Sequence, residues 1–585
     1  MLTFLRNLYS RATEKKLVSF WLVFCFLALT YNLDTVPPYH SDENYYVEST
    51  RNMIESGDYL TPVYRNEKRF AKPILYYWLQ AASYQLFGVN LVSARLTSAF
   101  FGCLSIGLIF LFANRLFDGQ VALYSALILP ASYLHFQTSR WATTDIVMSF
   151  FVLLTFYYFV RLYQGDFQRQ KDAYMFYLAM ALGFMTKGPP AIIIPSMVVF
   201  IFLLSIRRRT RIGQMFIKQG FMILSVVIIP WFATMLHLHG DEFASHIVGE
   251  EIQHRLVHDT PFSLYYFEVL LRYYLPWVLF FLVAFGHQIG LSNYSEAFDV
   301  RGYLRGVPIQ IQTHGKLLFT KENQPILLCY IWVLVCLILF TLVRTEHSRY
   351  MLPASPAIAI LVAKFFSDMG KEEFSGRGYQ TVLVLTGAIF LAIAITSGVA
   401  LYGLTLIYQT PYYFFLLPVL FFLGGVGIFR LNKKCQYGSQ LFAISITLVL
   451  AFSFLSGKVL PHVNRYPMKI FSEKILTDKI NDPIAVYRLG NQRAKLGVLT
   501  GKTSYNIDQP LQIKKFIDSP GKVLVVMRET DFLSDFSDTP LKIIAEDIAW
   551  LKDGNVWKKF KEIWMASEHS DLESLTEKIY LLSNR

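Results

Sequence analysis

Charge is scarce in this sequence. Only 17% of its 585 residues are charged, whereas 54% are hydrophobic, and this balance excludes a soluble enzyme of that size. A helix needs about 20 apolar residues to cross roughly 30 Å of hydrocarbon, and such runs recur from Leu17 to Gly457. The composition therefore predicts a mainly α-helical polytopic membrane protein whose main solvent is the lipid bilayer.

Cysteine and metal-binding motifs are also scarce. Because the segments expected outside the membrane carry no cysteine, we expect no structural disulfide. Neither an HEXXH motif nor a tight cluster of histidines and acids is present, so no cofactor is implied and a divalent metal stays open but unsupported. Four cysteines lie inside apolar runs and the fifth lies in the basic loop RLNKKC: Cys25, Cys103, Cys329, Cys336 and Cys435.

The formal net charge of +13 raises the question of nucleic acid. The basic residues lie in short loops between apolar runs, which is the positive-inside pattern of membrane proteins, so no nucleic-acid partner is expected. The N-terminal segment MLTFLRNLYSRATEKK is basic and lacks a following small-residue cleavage site. We therefore expect an uncleaved first span with its N-terminus in the cytoplasm.

The apolar runs predict about thirteen spans, with the C-terminus outside. From about Leu460 short β-rich runs such as IAVYRL and KVLVVM alternate with helical stretches, which predicts a small α/β domain. We therefore divide the chain into a transmembrane domain, 1–458, and a periplasmic α/β domain, 459–585. The second predicted span ends near Arg115, and the others cover about 17–36, 120–138, 143–161, 173–186, 190–205, 220–238, 265–285, 325–343, 350–366, 379–403, 411–430 and 439–457.

An acidic pair, Asp42 and Glu43, follows the first span. It lies in a 24-residue polar and aromatic stretch, YHSDENYYVESTRNMIESGDYLTP, which has the amphipathic character of a segment at the membrane surface. Carboxylates placed there can act on a substrate in the interface. The structural alternative is a solvated loop or a helix N-cap.

Lys72 and Asp145 are further candidates. Lys72 precedes Pro73, which favours a helix start, and a cation at a helix N-terminus suits an anionic phosphate; the alternative is a lysine whose head reaches the interface. Asp145 begins an otherwise apolar run. Placing an acid there costs free energy, so such a residue is a functional candidate by default. Arg140 is its nearest possible partner in the sequence.

Other polar residues fall on the same predicted side of the membrane. Lys187 is a lone cation between two spans, in TKGPP. The outer segment with EEIQHR supplies Arg255, and the turn before span ten supplies Arg349 and Tyr350. Unrelated charged residues would not be expected to gather on one side in this way.

Several motifs together resemble a known family. They are the exported DE pair, GDYLTPVYRNEKRFAKPILYYWL, LFGVNLVSARLTSAF, a TKG after span five, PW at span seven, EEIQHR, and RYMLPASPAIAIL at span ten. In order, they resemble the aminoarabinose (4-amino-4-deoxy-L-arabinose) lipid A transferases, a branch of the protein O-mannosyltransferase-like superfamily of GT-C membrane glycosyltransferases. The resemblance implies an enzyme of the bacterial inner membrane that passes a sugar from undecaprenyl phosphate to lipid A on the periplasmic face.

The resemblance also implies roles for single residues. Asp42 matches the family's loop acid, and Lys72 matches the lysine of an F-E-K-P motif whose acid is Ala71 here. At this position the chain therefore departs from the family pattern and has no carboxylate for the roles of that acid, including metal binding. The candidate catalytic residues are Asp42, Glu43 and Asp145, and the candidate ligands of the donor phosphate are Lys72, Lys187, Arg255, Arg349 and Tyr350.

The acceptor and the sugar stay open from the sequence. A hydroxyl acceptor would need Asp42 as a base, whereas an ionised phosphate acceptor would need it for positioning or charge stabilisation. Close alternatives are a protein O-mannosyltransferase-like activity and transfer of another sugar to an envelope glycan. A transporter of the lipid-linked sugar is less favoured, because the chain shows no internal repeat and keeps its charges at one interface.

Overall fold

The computed structural model describes residues 2–38, 41–247, 249, 263–289, 316–343, 345–369, 377–407, 410–464, 466–489, 492–502, 504–550 and 576–585. The first helices are α1 (Leu2–Thr30), α2 (Ser41–Ser56), α3 (Leu75–Phe87), α4 (Leu91–Leu116), α5 (Gly119–Ile128), α6 (Tyr133–Thr138), α7 (Thr144–Gln164), α8 (Gln170–Lys187), α9 (Pro190–Ser205), α10 (Arg209–Met215) and α11 (Lys218–Ser245). They are followed by α12 (Tyr265–Tyr273), α13 (Trp277–Gln288), α14 (Gln324–Val343), α15 (Ser355–Met369), α16 (Arg377–Ile407), α17 (Leu416–Asn432) and α18 (Tyr437–Phe454). The last helices are α19 (Leu460–Asn464), α20 (Pro467–Thr477), α21 (Gln492–Thr500), α22 (Pro510–Ile517) and α23 (Glu529–Asp535).

The predicted class, a mainly helical membrane protein, is confirmed. In the described part of the chain, eight helices are long and apolar enough to cross a membrane, or nine if one bent pair counts as a span. A helix satisfies its own backbone hydrogen bonds, which is why such runs adopt this structure in hydrocarbon. The eight are Leu91–Leu116, Thr144–Gln164, Lys218–Ser245, Lys321–Val343, Ser348–Met369, Thr381–Gly403, Tyr412–Asn432 and Tyr437–Asn464.

Three predicted spans differ from the observed helices. The first was expected over 17–36, but α1 ends at Thr30. The third, 120–138, is divided into α5 and α6, and the eighth, 265–285, is a pair of helices bent by 109°. Pro130 and Pro276 lie at the two breaks, and proline interrupts a helix because it lacks a backbone N–H and clashes with the preceding turn.

Helix α2 carries the acidic pair in its first turn. Carboxylates are favoured there by the partial positive charge of a helix N-terminus. A two-stranded hairpin, β1 (Val63–Tyr64) and β2 (Glu67–Lys68), packs on this helix. Asn52 Nδ2 donates to the Val63 carbonyl over 2.9 Å, so the hairpin holds the outer part of α2.

The C-terminal residues form a five-stranded mixed sheet. Its order is β4-β3-β5-β7-β6, in which β3 pairs in parallel with β4 and β5, and β7 pairs in antiparallel fashion with β5 and β6. Apolar side chains form a cluster on each face, one around Phe471 and Val486, the other around Tyr487 and Val525. The strands are β3 (Ile484–Tyr487), β4 (Ser504–Ile507), β5 (Leu524–Arg528), β6 (Lys542–Trp550) and β7 (Thr576–Ser583).

The C-terminal sheet unit contacts the helix that bears the acidic pair. Val47 of α2 belongs to an apolar cluster against which Val498 and Leu499 of α21 pack. Arg51 Nη1 donates to the Gly497 carbonyl over 2.9 Å, where a cation is favoured near the end of a helix. Helix α2 therefore lies between the apolar helices and the sheet unit.

Candidate functional site

The structure brings together five predicted residues from four parts of the chain. Asp42 comes from α2, Asp145 from the first turn of α7, Lys187 from the last residue of α8, and Arg349 and Tyr350 from the 3₁₀ turn Ser348–Ala354. We call these five residues the ion-pair cluster.

Arg349 links the two acids of the ion-pair cluster. Its Nη2 donates to Asp42 Oδ2 over 2.8 Å, and its Nη1 donates to Asp145 Oδ2 over 3.3 Å. Lys187 Nζ donates to the other oxygen of Asp145. Two acids and two bases thus alternate in space, so their charges are balanced locally.

The two acids differ in accessibility. The Asp42 side chain is 42% exposed, whereas that of Asp145 is only 4% exposed. A substrate can therefore reach Asp42, while Asp145 is enclosed by its cationic partners, Lys187 and Arg349. Asp145 is placed to hold the two cations.

Asp42 is held in its charged form. Burial opposes its ionisation, but the charge of Arg349 and their hydrogen bond outweigh burial and lower the pKa of Asp42 below its usual value. The carboxyl group is therefore a carboxylate at neutral pH. A carboxylate with a low pKa is a weak base, but it stabilises positive charge well.

Tyr350 and His347 cover the cationic side of the ion-pair cluster. Lys187 Nζ lies 4.6 Å from the centroid of the Tyr350 ring, within the range of a cation–π contact. The His347 ring lies 5.3 Å from the same ring, measured between centroids. Burial, followed by the charge of Arg349, lowers the pKa of His347 below its usual value, so its imidazole is neutral at physiological pH.

Glu43 occupies a different environment from its neighbour Asp42. Glu43 is 1% exposed, and both its oxygens accept from Arg95, over 2.6 Å to Nε and 2.8 Å to Nη2. The backbone N–H of Ala142 donates to it as well, over 3.0 Å. Consecutive residues of a helix point about 100° apart, which is why one acid is accessible and the other is enclosed.

Two other predictions concern single cations. Arg140 was expected to be the nearest partner of Asp145, but this is wrong: Lys187 and Arg349 hold Asp145. Arg140 instead donates to carbonyls at the end of α1, including that of Leu29 over 2.8 Å. Sequence proximity failed because a helix starting at Thr144 directs Asp145 away from the preceding loop.

Lys72 and Arg255 complete the predicted set. Lys72 Nζ donates to the carbonyl of Ala71 over 2.7 Å, and Pro73 precedes α3, whose first residue is Leu75. Arg255 lies outside the described residues.

Sequence reasoning missed two arginines near the site. Arg95 anchors Glu43, and Arg69 stacks on Tyr45, with 3.7 Å from its guanidinium carbon to the ring centroid. Arg95 lies within an apolar run, LVSARLTSAF, and the rule that ionisable residues in apolar runs have partners would have identified it.

The described ranges contain no group of three histidine, cysteine, aspartate or glutamate residues close enough to hold a metal ion. Ala71 likewise supplies no carboxylate beside Lys72. The charged groups of the ion-pair cluster are therefore two cations and two carboxylates, and the carboxylates already accept hydrogen bonds from the cations.

The chain is similar to one protein family and to individual relatives. Residues 71–233 match the family described as dolichyl-phosphate-mannose-protein mannosyltransferase. An uncharacterised protein of Aquifex aeolicus is 27% identical over 373 residues, which are 62% of this chain and 66% of that protein. The undecaprenyl phosphate-alpha-4-amino-4-deoxy-L-arabinose arabinosyl transferase of Aeromonas hydrophila is 27% identical over 372 residues, 62% of this chain and 61% of that enzyme. The match thus spans less than two thirds of the length of these relatives.

Solved structures extend the similarity to nearly the whole chain. The crystal structure of ArnT from Cupriavidus metallidurans bound to undecaprenyl phosphate superposes with a TM-score of 0.69 at 17% identity, covering 97% of this chain and 98% of that one. Its apo state superposes with a TM-score of 0.66. The GT-C fold implied by the sequence motifs is confirmed.

Proposed function

We propose that this chain, which has the GT-C fold, is a membrane glycosyltransferase that moves a sugar from undecaprenyl phosphate to lipid A. The sugar is aminoarabinose or a related amino sugar or hexose. Relatives that carry the aminoarabinosyl transferase name support this choice, as does the fold shared with an ArnT that binds undecaprenyl phosphate.

The single observation that carries the proposal is the contact of Arg349 with Asp42. It places one accessible carboxylate beside two enclosed cations, Arg349 and Lys187. Glycosyl transfer from a phosphate needs this combination, since positive charge develops at the anomeric carbon while negative charge develops on the leaving phosphate.

In the proposed reaction, the bond between the anomeric carbon and the donor phosphate oxygen breaks, and its electron pair leaves with undecaprenyl phosphate. An acceptor oxygen forms the new bond to that carbon. The low pKa of Asp42 fits an acceptor that needs no base, such as an ionised phosphate of lipid A, and leaves Asp42 to stabilise the oxocarbenium-like centre.

The other predicted residues receive roles within this reaction. Lys72, Lys187, Arg349 and Tyr350 bind or neutralise the donor phosphate, together with Arg255. Asp145 orients Lys187 and Arg349, because its two oxygens accept from them. Glu43 acts as a positioning residue, since Arg95 and the Ala142 N–H hold it and thereby set the direction of the first turn of α2.

The topology of the sequence prediction belongs to the same proposal. It places about thirteen spans in the bacterial inner membrane, with the ion-pair cluster and the domain of residues 459–585 in the periplasm. The last apolar helix runs from Tyr437 to Asn464 and the sheet begins at Ile484, which supports a domain division close to the predicted one.

A protein acceptor is the second candidate. It is favoured by the match of residues 71–233 to a family described as protein mannosyltransferases. A protein hydroxyl would need a base, for which the lowered pKa of Asp42 is poorly suited.

The test is mass spectrometry of lipid A from cells with and without this gene product. We expect a mass increase equal to one added sugar residue, and the increment identifies the sugar. Glycoproteins from the same cells are analysed in parallel. A shift in glycoproteins with unchanged lipid A would refute the lipid A acceptor and support the second candidate.

A further inference from the structure

A cavity of about 440 Å³ lies beside the ion-pair cluster but is lined by other residues, among them Arg95, Arg140 and Ser348. Its volume falls within the range of about 300 to 1,000 Å³ that is typical of sites for small ligands. We call it the arginine cavity.

The arginine cavity has two enclosed guanidinium groups in its wall. Arg95 is 3% exposed and Arg140 is 6% exposed. Glu43 neutralises Arg95. Arg140 donates instead to backbone carbonyls, over 2.8 Å to Leu29 and 2.8 Å to Tyr31, and it forms no ion pair with a carboxylate of the described residues.

The wall therefore carries one positive charge without a full counter-charge. The carbonyls that end α1 supply only about half a negative charge. Burial, followed by the charge of Arg95, lowers the pKa of Arg140 to about 10, so the group stays protonated at neutral pH. An enclosed cation of this kind is stabilised by an anion that binds next to it.

Arg140 keeps hydrogen-bonding capacity for such an anion. A guanidinium has five N–H donors, and two of its four carbonyl contacts are long, at 3.3 Å to Ala28 and 3.4 Å to Asn32. Planar forks of this type bind phosphate well.

The remaining wall suits a hydroxyl-rich ring. The amides of Asn32, Gln137 and Asn464 offer both donors and acceptors, and Trp141 and Tyr466 offer flat faces with polar edges. The π-helical segment Leu455–Val459 also reaches the cavity, through Ser456, and such segments are frequent at functional sites.

The arginine cavity adjoins the reacting groups. Ser348 directly precedes Arg349 in the chain, and Arg95 holds the residue next to Asp42. A headgroup in the cavity would thus lie next to the elements that carry Asp42 and Arg349.

We propose that the arginine cavity binds the phosphorylated sugar headgroup of the acceptor lipid, with Arg140 as a ligand of its phosphate. The assignment rests on the proposed function, because it locates the acceptor of that reaction. It concerns binding and involves no covalent step.

The test uses the purified full chain in phosphatidylcholine nanodiscs. Binding of three probes is measured by native mass spectrometry: bisphosphorylated lipid A, dephosphorylated lipid A, and undecaprenyl phosphate. Inorganic phosphate is added as a competitor. The variants are Arg140→Gln and Gln137→Leu, and Arg115→Gln is the matched control that removes the same charge outside the cavity.

We expect Arg140→Gln to weaken the binding of bisphosphorylated lipid A by about tenfold or more, which is the usual effect of losing a charged hydrogen bond. Gln137→Leu should weaken it too, without touching the end of α1. Arg115→Gln should bind as the wild type does, and the wild type should prefer the phosphorylated probe. Unchanged binding of undecaprenyl phosphate to Arg140→Gln shows that this variant is folded. If Arg140→Gln no longer binds undecaprenyl phosphate, the binding of lipid A to Gln137→Leu tests the assignment instead.

Three outcomes would overturn the assignment. The first is that both variants bind bisphosphorylated lipid A as tightly as the wild type does. The second is that the wild type binds the phosphorylated and dephosphorylated forms of lipid A equally. The third is that inorganic phosphate binds to the protein without displacing lipid A. Failure of the proposed function is seen separately, as absent binding of undecaprenyl phosphate to the wild type.

Discussion

Arg349 and Asp42 are 307 positions apart in the chain, yet the guanidinium donates to the carboxylate over 2.8 Å. This contact joins the amphipathic helix α2 to the turn that precedes α15. It also explains why the exposed acid stays ionised.

Asp42→Asn should lower kcat for sugar transfer at least about a hundredfold, because the amide keeps the shape of the side chain but removes the negative charge. The measurement is transfer by the purified protein, with thermal unfolding as the check on folding. Glu55→Gln is the matched control, since Glu55 lies on the same helix and its side chain is 61% exposed. Full activity of the Asp42 variant would refute the proposed chemistry.

Arg349→Lys should reduce kcat by a similar factor although it keeps the positive charge. A lysine ammonium cannot donate as a fork to Asp42 and Asp145 together. Transfer kinetics at saturating donor separate this loss from weaker donor binding. If kcat were unchanged and only the donor KM rose, Arg349 would be a phosphate ligand alone.

Glu43→Gln should destabilise the protein by about 3 to 5 kcal/mol, because it leaves the enclosed Arg95 without a counter-charge. The measurement is the unfolding temperature in detergent. Replacing both partners, as in Glu43→Gln with Arg95→Met, should recover much of the lost stability. A Glu43→Gln protein with wild-type stability would contradict the role of this ion pair as an anchor.

The pH dependence of transfer follows from the lowered pKa of Asp42. A carboxyl group whose pKa is lower in the folded chain than the usual 3.8 contributes stability above that value and loses it as the pH falls through the folded pKa. Ionisation of Asp42 should therefore leave kcat/KM constant from about pH 5 to pH 8. In Arg349→Gln the acid limb should move to higher pH, and an unmoved limb would show that another group controls it.

The fold could be predicted well from the sequence where it depends on local pattern. Long apolar runs predict the helices, and the runs around Val486 and Val525 are strands as expected. The breaks at Pro130 and Pro276 were missed, because hydropathy averaged over a span does not register a single bend. The end of α1 at Thr30 was also missed, because hydropathy does not show whether polar residues near a membrane surface are helical or extended.

The candidate site could be predicted as a set of residue types but not as a set of contacts. Asp145 was chosen because burying an acid in an apolar run costs free energy. Asp42, Lys187 and Arg349 were chosen because they fall on the same predicted side of the membrane and within motifs that resemble the family. Their pairing could not be derived, because partners on different helices are arbitrarily far apart in sequence. Arg140 shows this limit, since its proximity to Asp145 in sequence indicated a pair that the helices do not form.

The sequence by itself determined that this chain is a helical membrane protein, that its rare polar residues are candidates for function, and that its motifs resemble the aminoarabinose transferases. The length of an apolar run and the high cost of burying charge are local properties, so they can be determined from the chain alone. Only the tertiary structure decided that Asp42 is accessible while Glu43 is enclosed by Arg95. The physical reason is that adjacent side chains of a helix point in different directions, and the surroundings of each are set by elements that are distant in sequence.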